Sequence, residues 1–340
     1  MSVRRLRQSI GWGTKHVLAV AFAALSTAPL AAQDSTTQVN GPAVTEVEAP
    51  EAIDEVIVRG RRLSEIEADL RIHIDAFLDE VAAPMRDRGY ARWNREVCVG
   101  VHNLEQTSAQ YVVDRVSSLA LEVGLEPGEP GCSPHVHIIF TTSAGELTAR
   151  MVEDQPRLFQ LGAGFADTNL GREALDAFVK SDRPVRWWHV SLPVDARTGN
   201  TAIELPGMPR SCNLSGGGMR CGAPTINVAG PSRIHSGIVD TLQYVIIVVD
   251  GTKLAGKTTW QQLADYLAVV SLAQIKPGTD PTAFDSILNL FSNPNAYSGL
   301  TDWDRSYIRA LYAFDQERLP QMQRNDIVSR IANRELGLTE

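Results

Sequence analysis

Residues 245–249, Val-Ile-Ile-Val-Val, are apolar at every position. A strand with one wet face alternates apolar and polar residues, so an unbroken β-branched run has to be covered on both faces. That run excludes a one-sided sheet and an all-helical bundle, and it calls for helices above and below an interior strand. The rest of the chain supplies them. Strand patterns at "EVCVGV" (96–101), "HVHIIF" (135–140) and "VRWWHVSLPV" (185–194) are separated by helical patterns at 107–123, from Ala144 and after Gly171. A further pair of strands is expected near "SRIHSGI" and "LQYVIIVV". The fold class is therefore α/β or α+β, a mixed β-sheet with flanking helices and an all-helical C-terminal part over 259–340.

The chain opens on basic residues (Arg4, Arg5, Arg7, Lys15), continues with the apolar "VLAVAFAAL" at 17–25 and reaches small residues at "STAPLAAQD". This order predicts a secretory signal peptide at 1–32, cut after Ala32. Its apolar core falls short of the roughly 20 residues that span a bilayer, so no membrane span is expected after its removal. The mature protein is expected to be periplasmic or secreted. Removing 1–32 takes away four cations and no acidic residue, which moves the formal charge from −8 to −12. So acidic a surface repels phosphate backbones, and nucleic acid is not an expected partner.

Residues 33–62 read as a flexible leader, rich in Thr, Ala, Pro and Glu. Within it, the stretch from Glu55 to Gly60, "EVIVRG", resembles the short box near the mature N-terminus of TonB-dependent outer-membrane receptors. An edge strand or extended linker is expected there. A single globular domain then runs over 63–340. Its first helix is expected to open at the capping box Ser64-x-x-Glu67, with Ile66, Leu70, Ile74, Phe77 and Val81 on one side.

All four cysteines, Cys98, Cys132, Cys212 and Cys221, lie beyond the signal peptide. An even count in an oxidising compartment favours disulfides over a metal site, for which a C-x-x-C pair is missing. Of the three possible pairings, Cys98 with Cys132 and Cys212 with Cys221 is preferred, because the second closes the glycine-rich loop "CNLSGGGMRC".

Gly251, Gly256, Lys257 and Thr258 satisfy the G-x-x-x-x-G-K-[ST] pattern of a phosphate-binding loop. A true P-loop has its Lys and Ser/Thr inside the first turn of the next helix. Here Thr259-x-x-Gln262 is a capping box, which starts the helix one residue after Thr258. Nor does a strand downstream supply a magnesium-binding aspartate. Nucleotide is not an expected partner, and no cofactor is expected.

His135 and His137 alternate along one strand and share a face, and His189 lies on another. Three imidazoles from adjacent strands would make a zinc site with an open fourth position; the competing reading is a half-buried polar face. Trp187 and Trp188 are consecutive, so one points to each side of their strand. There is no G-x-S-x-G nucleophile elbow.

From Thr259 the order is the helix "TTWQQLADYLAVVSLAQI", the apolar "DSILNLF" and the capped helix "LTDWDRSYIRALYAFD". This order resembles the C-terminal half of zinc metalloproteases of the zincin type. Where that family carries H-E-x-x-H, this helix has Ala264, Asp265, Tyr266, Leu267 and Ala268, and no histidine follows His235. The resemblance implies a degenerate zincin-like layout without its zinc, with Ala264 and Ala268 buried near Ile287 and Leu288. The phrases "VRWWHVSLPVDARTGN", "QLADYLAVVSLAQI" and "LTDWDRSYIRALY" also resemble an uncharacterised family of exported alphaproteobacterial proteins, across about 180–315. The function expected is that of an exported, non-catalytic binding or envelope-associated module; the alternative is a secreted metal-dependent hydrolase.

Overall fold

The computed structural model describes residues 51–338 except 86–87, 157, 160–169, 200–211, 216–217, 222–234, 255 and 257. For 51–61, 212–215 and 218–221 it describes the backbone alone. The signal-peptide assignment and most of the leader lie outside these residues.

The chain folds as α1 (Glu51–Val81), β1 (Val99–His102), α2 (Gln106–Glu122), β2 (Val136–Thr141), α3 (Ala144–Asp154), α4 (Gly171–Lys180), β3 (Val185–Asp195), β4 (Cys212–Ser215), β5 (Gly218–Cys221) and β6 (Ile238–Asp250). The short α5 (Gly251–Leu254), α6 (Trp260–Leu272), a 3-10 turn at Ile287–Asn289, α7 (Asp302–Ala313) and α8 (Pro320–Glu335) follow. The architecture is a mixed α/β one. β1, β2, β6 and β3 form one sheet in that order, the first three parallel and β3 antiparallel to β6. β4 and β5 make a separate hairpin.

β6 is the interior strand that the apolar run requires: residues 245–249 are all buried, between β2 on one side and β3 on the other. Val245, Ile247 and Val249 face the larger core, built with α1, α2, α6, α7 and α8. Ile246 and Val248 face a smaller one, closed by α3, α4 and Phe159. Trp187 enters the first core and Trp188 the second. Each is about 1 % exposed and donates its indole N–H to a carbonyl, of Ile275 and Leu158 respectively. Both tryptophans are therefore packing residues.

Two expectations need correction. α1 begins at Glu51, so the stretch expected as an extended leader up to residue 62 is helical from there on. Ser64-x-x-Glu67 lies inside the helix: a capping box starts nothing new where residues before it, Glu51, Ala52, Glu55, Arg59, Arg61, Arg62 and Leu63 among them, are themselves helix formers. Ile66 is accordingly 56 % exposed, while Ile74, Phe77 and Val81 anchor the C-terminal half in the core. The second correction concerns the pair of strands expected near 232–249. Of the two, "LQYVIIVV" lies within β6, a strand of 13 residues whose N-terminal half pairs with β3 beyond a register shift at Val190/Ser191, whereas "SRIHSGI" enters that strand at its last residue, Ile238, and its described residues before that make an isolated bridge from His235 to Arg318. The residues 222–234 lie outside the description.

Cys98 and Cys132 are joined, with Cα atoms 6.1 Å apart. In the β4–β5 hairpin the backbone register sets Cys212 opposite Cys221.

Candidate functional site

The three parallel strands end on the same side of the sheet. β1 runs into Asn103, β2 into Thr142 and β6 into Gly251, and the first turn of α6 lies above them. These segments enclose a crevice of about 690 Å³, lined by Asn103, Leu104, Phe140, Thr141, Thr142, Gly251, Leu254, Gly256, Thr258, Thr259, Trp260 and Leu263. In open sheets with parallel strands, the region beyond the carboxyl ends of the strands is where ligands bind, and small-molecule sites span roughly 300–1,000 Å³.

Each wall has a local cause. Thr259 caps α6: its hydroxyl accepts the N–H of Gln262, whose side chain accepts the N–H of Thr259 in return at 2.7 Å. The positive end of the α6 dipole thus opens on the crevice. Phe140 and Leu263 are buried and form the floor. Trp260 stands at the rim, 47 % exposed, its ring 6.2 Å from that of Phe140. Asn103 has φ of 59°, a left-handed conformation that Asn tolerates better than most residues and that collects at functional loops. The described lining offers hydroxyls, an amide, backbone and apolar surface, and no side chain that titrates near neutral pH.

The P-loop-like stretch forms one wall of this crevice, in a shape other than a phosphate cradle. Gly251–Leu254 is a short helical turn. Asp250, buried just before it, accepts bonds from the backbone N–H and hydroxyl of Thr252. Lys253 turns away to Asp182. Lys257 lies outside the described residues.

The three candidate histidines do not converge. Across the sheet, Val136, Val245 and His189 occupy one row and face the larger core; Gly100, His137, Ile246 and Trp188 occupy the next row and face the other way. His189 is buried, with Nε2 2.9 Å from the Val270 carbonyl of α6 and Nδ1 without a partner. Burial lowers its pKa to about 4, although the Val270 bond opposes the shift. His135 also has its pKa lowered by burial and then by Arg95, and it packs near Trp93 and Tyr244. His137 instead meets His102, which the sequence reading passed over. The only signal for His102 was its place at the end of the strand "VGVH", and the register that brings it beside His137 is a tertiary fact.

At Ala264–Ala268, the stretch likened from sequence to the zincin helix, α6 is closed. Every residue from Gln262 to Leu272 is buried. Ala264 and Ala268 share the larger core with Ile287 and Leu288. Tyr266 is held between Trp187 of the sheet and Phe291 of the following segment, at ring distances of 6.2 and 4.9 Å. Asp265 has partners for its carboxylate: the Arg115 guanidinium on one oxygen and the Leu300 N–H, at 3.0 Å, on the other. Among the described residues, no group of three or more His, Cys, Asp or Glu side chains is placed to hold a metal ion, and no helix is long and apolar enough to cross a membrane. Set against protein-family models, curated proteins and solved structures, the chain matches none.

Proposed function

We propose that this chain is an exported, non-catalytic binding module of the cell envelope, and that its ligand sits in the crevice at the ends of β1, β2 and β6. The observation that carries this reading is the lining. It combines an exposed indole at the rim, an apolar floor and a ring of hydroxyl and amide groups. Such a surface suits a ligand with one apolar and one hydrogen-bonding face, for which a short saccharide is the simplest fit. Acid–base or nucleophilic chemistry would ask for a positioned titratable group, and the described lining is poor in them. The zincin-like order of segments agrees with this reading as a degenerate layout, since small apolar side chains stand where imidazoles would have to be. The rival, a metal-dependent hydrolase built on His135, His137 and His189, is disfavoured by the opposite orientation of His189.

The test is a thermal-shift series with soluble envelope saccharides, N-acetylglucosamine oligomers and muropeptides, on the wild type and on Trp260→Ala and Leu104→Trp. The reading predicts a saturable rise in Tm with at least one of them, lost when the rim ring is removed or the crevice filled. A shift that survives both substitutions, or none with any compound, contradicts it.

A further inference from the structure

A second place on the molecule, apart from the crevice lining and independent of the binding reading, carries its own chemistry. β1 is an edge strand, and its last residue, His102, is exposed. Its Nε2 lies 3.2 Å from Nδ1 of His137 on β2, with the ring planes within 18° of parallel. We propose that His102 and His137 form a site for a first-row divalent metal ion, copper(II) ahead of zinc.

Three observations support the pair as a ligand set. The first is spacing: two imidazole nitrogens on one tetrahedral zinc ion, each about 2.0–2.1 Å from it, stand about 3.3 Å apart, close to the separation found. The second is the cradle. Gly100 is the register partner of His137, and a Cβ there would come within 3.3 Å of His102 Nε2 and 2.7 Å of the Pro134 ring. A side chain there would clash with the Pro134 ring and crowd His102, so Gly100 keeps this face of the strand open beside the imidazole pair. The third is the anchoring of His137, whose ring is hydrogen-bonded to the Pro134 backbone and so held in its orientation.

Without the ion, the two rings share one N–H···N hydrogen bond. Binding requires the donor to move that proton to its other ring nitrogen, so both lone pairs face the metal and no net proton is released. No third His, Cys, Asp or Glu joins the pair among the described residues, and water fills the remaining positions. The site is therefore exchangeable rather than structural, and imidazole ligands select copper(II) over nickel, cobalt and zinc by their ordinary order of affinities.

Isothermal titration of the full mature chain with copper(II) and zinc salts, in a non-coordinating buffer, tests the proposal. One ion per chain is expected, bound more tightly as copper, with affinity falling tenfold or more in His102→Ala and in His137→Ala and unchanged in His135→Ala. The electron paramagnetic resonance spectrum of the copper form should carry the splitting of two nitrogens, and of one in either variant. If His137→Ala fails to fold, the exposed His102→Gln answers the same question alone. Absence of binding, or binding that neither substitution weakens, overturns the proposal.

Discussion

His189 and Asp265 are two buried ionisable groups at α6 that differ in how they are satisfied. His189 has one ring nitrogen bonded and one unpaired, and its folded pKa of about 4 lies below that of an unfolded histidine. The unfolded chain therefore binds the extra proton first, and stability is full above about pH 6.5 and lost as pH falls towards 4. The loss attributable to this one side chain is on the order of 3 kcal/mol. Asp304 works the other way, since burial raises its pKa, so the histidine has to be isolated by difference. Denaturant unfolding at pH 7 and pH 5 should show a smaller loss in His189→Gln, which can still donate to Val270, than in the wild type; equal losses would contradict the assignment. Asp265 is fully engaged by Arg115 and Leu300. Gly299→Ala would place a Cβ 2.5 Å from its Oδ2, so that substitution, remote in sequence, should cost about 1–3 kcal/mol through the strained or broken hydrogen bonds. A neutral result by chemical denaturation would show that the carboxylate is free to move. Neither behaviour was legible in the sequence. His189 reads there as a ligand candidate, because burial and the face of a strand are set by what packs on it, and Asp265 could be given no chemistry at all.

Local signals fared better for elements than for sites. The capping boxes at Thr259 and Thr301 both start helices where the pattern puts them, since each is completed within four residues. The box at Ser64 fails because nothing upstream breaks the helix. Thr259→Ala removes the acceptor for the Gln262 N–H and should destabilise the fold by about 1 kcal/mol. It should also loosen the crevice wall that α6 provides, visible as faster hydrogen exchange at 260–263. α6 itself was readable as a buried helix from Leu263, Leu267 and Val270 with Val269 and Leu272 beside them. Its burial on all sides leaves no room for growth: Ala268→Leu should cost about 1–3 kcal/mol by overpacking. An unchanged Tm there would mean that α6 borders a void.

For the molecule as a whole, the apolar run at 245–249 was sufficient to place an interior strand with helices on both sides, because covering both faces is a demand on the entire chain. The strand order β1-β2-β6-β3, and with it the crevice and the His102–His137 pair, was not legible, since register joins residues far apart in sequence. The cysteines follow the same divide. The Cys98–Cys132 bridge closes a long loop and should contribute about 3–4 kcal/mol. Cys212 and Cys221 face one another in backbone register, and non-reducing peptide mapping is expected to find them linked as the second bridge. The claim on which the functional account turns is that the crevice binds. It is tested most directly by following the tryptophan indole signals by NMR while the protein is titrated with the saccharide that gives the largest thermal shift. The account predicts that the Trp260 indole moves and saturates while those of the buried Trp93, Trp187 and Trp188 stay in place. A titration that leaves Trp260 unmoved would contradict it.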